Sequence, residues 1–359
     1  LDGRQVLELA KSRLAAFPAG DPGRFPWLLV AGYGVLALSL PEQAAAAFEE
    51  SLPLALQSGF FFGLVEATFH RAQLALSQGR LEEALEISLG GKESLAGVTA
   101  QAGVPLPALG CLEVTAGRVL LEQGNLEEAR KLLRRGLEQM GWGRNPYYLM
   151  VAYLAQFRLF ELGGELAEAL TCLDELDRLW PDMGFLTAGL RARARLRFSP
   201  QNPITVQAAR DWLQSYGQTL GDRLPERGLG PVGAGEAYYQ ADLTWLSLQI
   251  AVGQREIIPH FLQGPLQLSQ ERGLKGREIE LRLAAAQAFS RSGQEQPALA
   301  ELETALRLAQ PAGYLSVFNQ SPVLDELVQL AARRGTAPGF TDRILAALRS
   351  SRRGEAQAG

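Results

Sequence analysis

Gln-Gly-Asn-Leu-Glu-Glu-Ala, at residues 123–129, decides the fold because similar stretches recur along the chain at a nearly constant spacing. Residues 78–84 read Gln-Gly-Arg-Leu-Glu-Glu-Ala, residues 163–169 read Gly-Gly-Glu-Leu-Ala-Glu-Ala, and residues 292–298 hold a weaker copy. The final alanines of the three strong copies, Ala84, Ala129 and Ala169, are 45 and 40 residues apart. A fixed glycine at such a period indicates an internal repeat.

Each copy marks the turn of a predicted helical hairpin. An apolar helix comes before the glycine, which supplies the left-handed conformation that ends a helix. Acidic residues then begin the second helix, at the positive end of its dipole. That second helix is amphipathic, and in the clearest copy its apolar stripe is Leu126, Ala129, Leu132, Leu133 and Leu137. Small residues seven positions before the turn predict that the paired helices approach closely, and these are Gly32, Ala72, Gly117 and Ala286.

Seven or eight such hairpins account for nearly the whole chain. The predicted turns are at Ser39, Gly79, Gly124, Gly164, Gly293, a degenerate Gly253 and residues 200–203, and a last helix pair covers 321–335 and 341–348. This pattern predicts an all-α fold of stacked helical hairpins with a period of about 40 residues. The unit resembles a tetratricopeptide repeat, and this resemblance implies a right-handed superhelix of tetratricopeptide-like hairpins (an α-solenoid). We expect a single domain over residues 1–349. Residues 221–235 can mark a partial break in it, and residues 350–359 are a disordered tail.

Composition narrows the class of protein. The chain has 359 residues, 47% of them hydrophobic, and a formal net charge of −4, so no basic field attracts nucleic acid or an anionic membrane. The longest apolar stretch, residues 27–40, is shorter than the roughly 20 residues that a membrane helix requires. Only two cysteines are present, which argues against a disulfide framework and for a cytoplasmic location. Because the first residue is not methionine, we expect a piece of a longer protein.

Three segments, at residues 117–138, 298–318 and 342–348, resemble the MalT-like sensor region of the large ATP-binding LuxR-type transcription regulators. The first contains the repeat turn, the second ends in Gly-Tyr-Leu-Ser-Val-Phe, and the third reads Asp-Arg-Ile-Leu-Ala-Ala-Leu. In that family the third segment comes just before the linker to a DNA-binding helix-turn-helix. The sequence contains neither that helix-turn-helix nor a Gly-x-x-x-x-Gly-Lys-Ser/Thr phosphate loop.

The resemblance implies a signal-sensing and oligomerisation region. Its expected partners are a small inducer, sugar-like in chemistry, or a regulatory protein, together with other copies within the parent regulator. ATP and DNA would be bound by other parts of that regulator and not by this piece. The alternative is a tetratricopeptide protein–protein interaction scaffold that binds no small ligand.

The sequence offers little for catalysis. His70 and His260 are the only histidines, and we expect His260 to be exposed and His70 to be exposed or hydrogen-bonded. Cys111 and Cys172 lie on apolar helical stripes, where core packing is the default. No Cys-x-x-Cys, His-x-x-x-His or Gly-x-Ser-x-Gly motif is present. We therefore expect no enzyme activity, no metal and no cofactor.

Aromatic residues suggest a ligand site. Tyr147 and Tyr148, close to Trp142, and the pair Tyr238 and Tyr239 each begin the first helix of a predicted hairpin. In the resembled family the first helices line the concave face, where tyrosine rings can stack on sugars or nucleosides. We therefore expect Tyr148 and Tyr239 to flank one ligand; the other candidates are Tyr147, Tyr238, Asp242, Arg158, Arg191, Trp245 and His70. Core packing is the competing interpretation for the aromatic candidates Tyr148, Tyr239, Trp245 and Tyr153.

Four alternating arginines, Arg191, Arg193, Arg195 and Arg197, do not form a single basic stripe, because neighbours in this series point to different sides of a helix. We favour a solvated helix that is salt-bridged to acidic neighbours. In the functional alternative, Arg191 or Arg195 holds a phosphate or carboxylate.

Overall fold

The computed structural model describes residues 3–101, 103, 106–141, 145–220 and 234–358. Helices make up 84% of the chain, and the described residues contain no strand. The chain divides into two compact units: Leu1–Val119 with Glu128–Ala152 and Gly230–Glu236, and Leu120–Glu127 with Tyr153–Leu229 and Ala237–Gly359. The sequence predicted one domain over residues 1–349. Most of the stretch expected to mark a break, residues 221–233, lies outside the described residues.

Seventeen α-helices lie in the described part of the chain. The first eight are α1 (Gly3–Leu14), α2 (Phe25–Ala37), α3 (Pro41–Gln57), α4 (Phe61–Ser77), α5 (Leu81–Gln101), α6 (Gly110–Glu122), α7 (Leu126–Met140) and α8 (Pro146–Gly163). The others are α9 (Leu166–Leu179), α10 (Gly184–Phe198), α11 (Pro203–Leu220), α12 (Ala234–Val252), α13 (Ile258–Glu271), α14 (Lys275–Arg291), α15 (Glu295–Ala309), α16 (Pro322–Arg333) and α17 (Phe340–Ala358). From α2 onward they form eight consecutive hairpins, whose first helices carry even numbers.

The glycines of four predicted turns adopt the left-handed backbone conformation, which favours glycine. Gly79, Gly124, Gly164 and Gly293 have φ between 75° and 82°, in the left-handed region. At each turn, the backbone N–H of the following residue donates to the carbonyl five residues earlier, as Asn125 does to Leu120 at 2.9 Å. This bond satisfies a helix carbonyl that would otherwise lack a partner. The repeat period read from the sequence is therefore confirmed.

Small residues allow the two helices of a hairpin to meet closely. A Cβ atom placed on Gly117 of α6 would lie 2.9 Å from Leu133 Cγ of α7. A Cβ atom on Gly32 of α2 would lie 2.6 Å from the Phe48 ring of α3. Ala129 is fully buried in the same α6–α7 contact. The helices therefore approach to a distance that a larger side chain would prevent.

Three features differ from the expectations. Helix α1, which packs against α2, comes before the first hairpin, and the glycine with a positive φ that follows it, Gly20, is not part of the repeat pattern. Gly253 does not adopt a positive φ; the Gln249 side-chain oxygen instead accepts from Gln254 N at 3.1 Å and satisfies that turn. The expected tail at 350–359 is helical as far as Ala358, because arginine, glutamate, glutamine and alanine in this stretch favour continuing α17.

Candidate functional site

A buried carboxylate organises the first unit. Glu66 lies on α4, one helical turn before His70 on the same face, and its Oε2 is 3.2 Å from His70 Nε2. The Tyr33 hydroxyl, on α2, donates to the same oxygen at 2.5 Å. The Tyr148 hydroxyl, on α8, donates to Oε1. The first helices of three hairpins thus meet at one carboxyl group that is only 9% exposed.

These contacts fix where the protons are. Burial alone would raise the pKa of Glu66, but the hydrogen bonds from His70, Tyr148 and Tyr33 and the charge interaction with His70 outweigh it, and its pKa is lowered. Burial raises the pKa of both Tyr33 and Tyr148, and the neighbouring Glu66 charge raises each further. Glu66 is therefore an ionised acceptor, and both phenols are neutral donors.

His70 lies within an aromatic enclosure. Its ring is stacked with Phe48 at a centroid distance of 5.0 Å and with Tyr147 at 6.3 Å. Tyr33 and Phe69 each meet it edge-on at 5.1 Å. His70 is 2% exposed, and its buried Nδ1 has no hydrogen-bond partner among the described residues. Most buried polar atoms in folded proteins have a hydrogen-bond partner, so among the described residues His70 Nδ1 is an exception.

The first unit brings together three residues that the sequence singled out: His70, Tyr147 and Tyr148. Tyr148 is 2% exposed and Tyr147 is half-buried, whereas Trp142 lies outside the described residues. Glu66 was not among the site residues predicted from sequence. The sequence did contain a signal for it, since Glu66 is the only acidic residue between Glu50 and Glu82.

A second buried carboxylate lies in the other unit. Glu161, on α8, is 1% exposed and accepts from Arg158 at 2.8 Å and from two nitrogens of Arg193 at 3.1 and 3.2 Å. Burial alone would raise the pKa of Glu161, but Arg193, Arg158 and Arg197 lower it to about 2. Arg158, which we expected to be available for an anionic ligand group, is engaged by this internal carboxylate.

The arginines of α10 follow the favoured interpretation in part. Arg191 and Arg193 pair with acidic residues, but the helix is largely buried and not solvated. Arg191 pairs with Asp174 at 2.6 Å and with Asp177 at 2.7 Å, and Arg195 is exposed. These ion pairs satisfy the Arg191 guanidinium without a ligand. Its suggested role in holding an anion stays a prediction.

The tyrosines at the start of α12 are held by neighbouring groups. Tyr239 is 3% exposed, and its hydroxyl donates to Glu280 at 2.7 Å. The guanidinium of Arg277 lies 3.4 Å from the centre of the Tyr239 ring. Tyr238 is half-buried and stacks with Phe185 at 5.6 Å. Tyr148 belongs to the first unit and Tyr239 to the second, so the expectation that both rings flank one ligand stays a prediction.

Asp242 and Trp245 lie further along α12, and both are buried. Asp242 accepts from the Tyr216 hydroxyl at 2.8 Å. The Trp245 ring packs against Phe261 at 5.1 Å, and its buried Nε1 has no partner among the described residues. This contact joins the two helices of one hairpin, so the burial of Trp245 agrees with core packing, the competing interpretation, without showing a contact between hairpins.

Other expectations from the sequence concern the histidines, the cysteines, metal binding and membrane crossing. His260 is exposed, as predicted. His70 is buried and hydrogen-bonded to Glu66 through Nε2, which is one of the two alternatives expected for it, while its Nδ1 has no partner among the described residues. Cys111 and Cys172 are buried free thiols, and burial raises the pKa of Cys172 to about 12. Among the described residues, no group of three or more His, Cys, Asp or Glu side chains could hold a metal ion. No described helix combines the length and the apolar character needed to cross a membrane.

Comparison with known protein families agrees with the helical repeat. The sequence model of the MalT-like TPR region matches residues 3–332, which is nearly the whole chain. Among solved structures, the crystal structure of the P58(IPK) TPR domain is similar at 13% identity and a TM-score of 0.24, with 100% of this chain and 99% of that chain covered. No curated protein matches. The family match places this chain among helical regions used for protein interaction or sensing, and the chain belongs to the family of MalT-like TPR regions.

Proposed function

We propose that this chain is the effector-sensing and oligomerisation region of a cytoplasmic, ATP-binding, LuxR-type transcription regulator, and that it has no enzyme activity of its own. The observation that carries the proposal is the match to the MalT-like TPR region over residues 3–332. The segment at residues 342–348, which resembles the part of such regulators that comes before the DNA-binding linker, supports the same context.

We place the effector beside His70. The unpartnered Nδ1 can exchange one hydrogen bond with a hydroxyl or amide group of a small molecule. Tyr33, which is 36% exposed, and the half-buried Tyr147 provide aromatic surface at the rim. Neutral sugars and nucleosides combine flat or apolar faces with hydroxyl groups, so they suit such a mixture of rings and polar atoms.

The mechanism follows from the position of Glu66. Its donors come from α2, α4 and α8, so the relative placement of three hairpins determines whether all of its hydrogen bonds are made. An effector that binds His70 better in one packing of these helices shifts the population toward that packing. The size of the shift is limited by the difference in affinity between the two states.

The test is calorimetric titration of the whole chain with neutral mono-, di- and trisaccharides and with nucleosides. Tyr147→Ala should weaken the binding of a compound from this panel by about tenfold, because a stacked ring contributes roughly 0.5–1.5 kcal/mol beyond its buried area. His70→Ala should weaken it similarly, and the exposed His260→Ala is the matched control. Normal binding by both site variants, while they remain folded, would contradict the placement at His70.

The scaffold alternative is distinguished by two observations. The parent gene should encode a phosphate loop before Leu1 and a helix-turn-helix after Gly359 if the regulator interpretation is right. Neighbouring domains of another kind, together with tight capture of a protein and no response to any saccharide or nucleoside, would favour a protein–protein interaction scaffold.

A further inference from the structure

The segment that joins α15 to α16 contacts the first helices of several distant hairpins. We call residues 314–321, Tyr-Leu-Ser-Val-Phe-Asn-Gln-Ser, the strap. Its hydrogen-bond partners include Glu122 of α6, Arg158 of α8, Arg197 of α10 and Gln287 of α14. Each of these helices is the first of its hairpin, and all of the contacts lie within the second unit.

The backbone of the strap makes part of these hydrogen bonds. Leu315 N donates to the Glu122 carbonyl at 2.7 Å. Arg158 donates to the Ser316 carbonyl at 3.3 Å, and Arg197 donates to the Asn319 carbonyl at 3.0 Å. Backbone groups are common to every polypeptide, so these contacts suit any segment that can adopt the strap's backbone conformation, which includes a 3-10 turn at Ser316–Phe318.

Side chains add hydrogen bonds on the same side of the strap. Ser316 Oγ donates to Glu122 Oε2 at 3.1 Å, and Arg197 also donates to Asn319 Oδ1 at 3.0 Å. The Ser321 hydroxyl donates to Gln287 Oε1 at 2.6 Å. These strap side chains are short and uncharged, which defines the chemistry that the first-helix surface accepts.

Apolar strap residues hold it to the end of the chain. Val317 is 4% exposed, and Phe318 is fully buried. The Phe318 ring meets Phe340, at the start of α17, edge-on at 6.2 Å. The strap therefore joins the first helices of earlier hairpins on its polar side to the last hairpin on its apolar side.

Such contacts are unusual for a repeat protein, in which each unit normally touches only its neighbours. The bonds from Ser316 to Glu122 and to Arg158 span 194 and 158 residues, and the bond from Arg197 to Asn319 spans 122. We propose that the surface formed by Glu122, Arg158, Arg197 and Gln287 is a polypeptide-binding site that the strap occupies in cis. An uncharged segment of a partner protein that adopts the same turn and is rich in hydroxyl and amide side chains replaces it.

The charge around the site favours a peptide over an anion. Glu161 already pairs with Arg158 and Arg193, so the arginines are matched to an internal carboxylate before any ligand binds. An additional anion would have to approach this buried negative charge, whereas carbonyl groups bring no charge. This proposal does not depend on the effector site at His70, which lies in the other unit.

The experiment loosens the strap and leaves the surface intact. In the full-length chain, Ser316→Ala/Asn319→Ala removes two side-chain bonds and preserves Arg158, Arg197 and all backbone groups. Hydrogen exchange of the Leu315 amide should become about tenfold faster in this variant, since its bond to Glu122 opens more often. A labelled peptide with the sequence of residues 313–321 should bind the variant about tenfold more tightly than the wild-type chain.

Two controls identify the surface. Adding Arg158→Gln to the loosened variant should abolish the gain in peptide affinity, and adding the exposed Arg195→Gln should leave it unchanged. The proposal is overturned if the strap amide exchanges no faster in the loosened variant. It is also overturned if the peptide binds no better, or if Arg158→Gln and Arg195→Gln have the same effect. Far-ultraviolet circular dichroism should show that all variants retain their helices.

Discussion

At the scale of single residues, two buried carboxylates are kept ionised by different means. Neutral phenol donors and His70 surround Glu66, whereas guanidinium groups from α8 and α10 surround Glu161. In both cases hydrogen bonds or charges overcome the burial that would raise the pKa. Such groups stabilise a fold only while they remain ionised, so their contribution depends on pH.

Glu161→Gln tests this dependence. The pKa of Glu161 is about 2 in the folded chain, below the ordinary value of 4.5, so its contribution to stability is fully present above pH 4.5 and is lost as the pH falls towards 2. At neutral pH we expect Glu161→Gln to lower the free energy of unfolding by roughly 3 kcal/mol. Urea unfolding at a series of pH values should show the difference between wild type and variant shrinking below pH 4.5.

The matched control for this measurement is Glu168→Gln, at an exposed position in the first turn of α9. Glu168 interacts mainly with the helix dipole, so its removal should cost less than about 1 kcal/mol. A loss for Glu161→Gln that stays constant between neutral and acidic pH would show that shape, and not charge, explains it.

At the scale of helices, the close contact within a hairpin should tolerate no added volume. Ala129 of α7 is fully buried, and its carbonyl lies 3.3 Å from where a Cβ atom on Gly117 of α6 would be. Ala129→Leu should therefore lower the free energy of unfolding by roughly 1–3 kcal/mol through overpacking. Glu128→Gln, beside it, should cost only about a few tenths of a kcal/mol, since Glu128 is exposed and pairs with Lys131 on the surface. Equal effects of the two substitutions in thermal unfolding would mean that the hairpin register is wrong.

The helices also explain which features could be predicted from sequence. A turn glycine acts locally, because the left-handed conformation at Gly124 and the hydrogen bond next to it involve residues only a few positions apart. The hairpins could therefore be located from the glycine spacing. Helix α1 lies outside this glycine spacing and was missed. Glu66 and Tyr148 are 82 residues apart in the chain, and no local pattern encodes which distant donor a buried carboxylate meets.

At the scale of the whole molecule, the distant contacts of the strap could not be predicted from sequence either. Its sequence was recognised as part of a family resemblance, but its contacts with Glu122 and Arg158 depend on how several hairpins stack. The candidate ligand residues illustrate this limit too. Residue type and position on a first helix could be predicted, but burial of Tyr148 and Tyr239 could not, since it depends on neighbouring hairpins.

For the chain as a whole, we expect stable folding together with inertness toward ATP and DNA. Buried hydrophobic residues occur along the sequence from Ala10 to Leu348. The sequence has no phosphate loop, and its net charge of −4 provides no field for counterion release on DNA. A purified preparation should be strongly helical by circular dichroism, should hydrolyse no ATP above the buffer rate, and should not retard duplex DNA even at low salt, where electrostatic binding is strongest. ATP hydrolysis that persists through repeated purification, or DNA binding that weakens steeply with added salt, would contradict the division of functions proposed for the parent regulator.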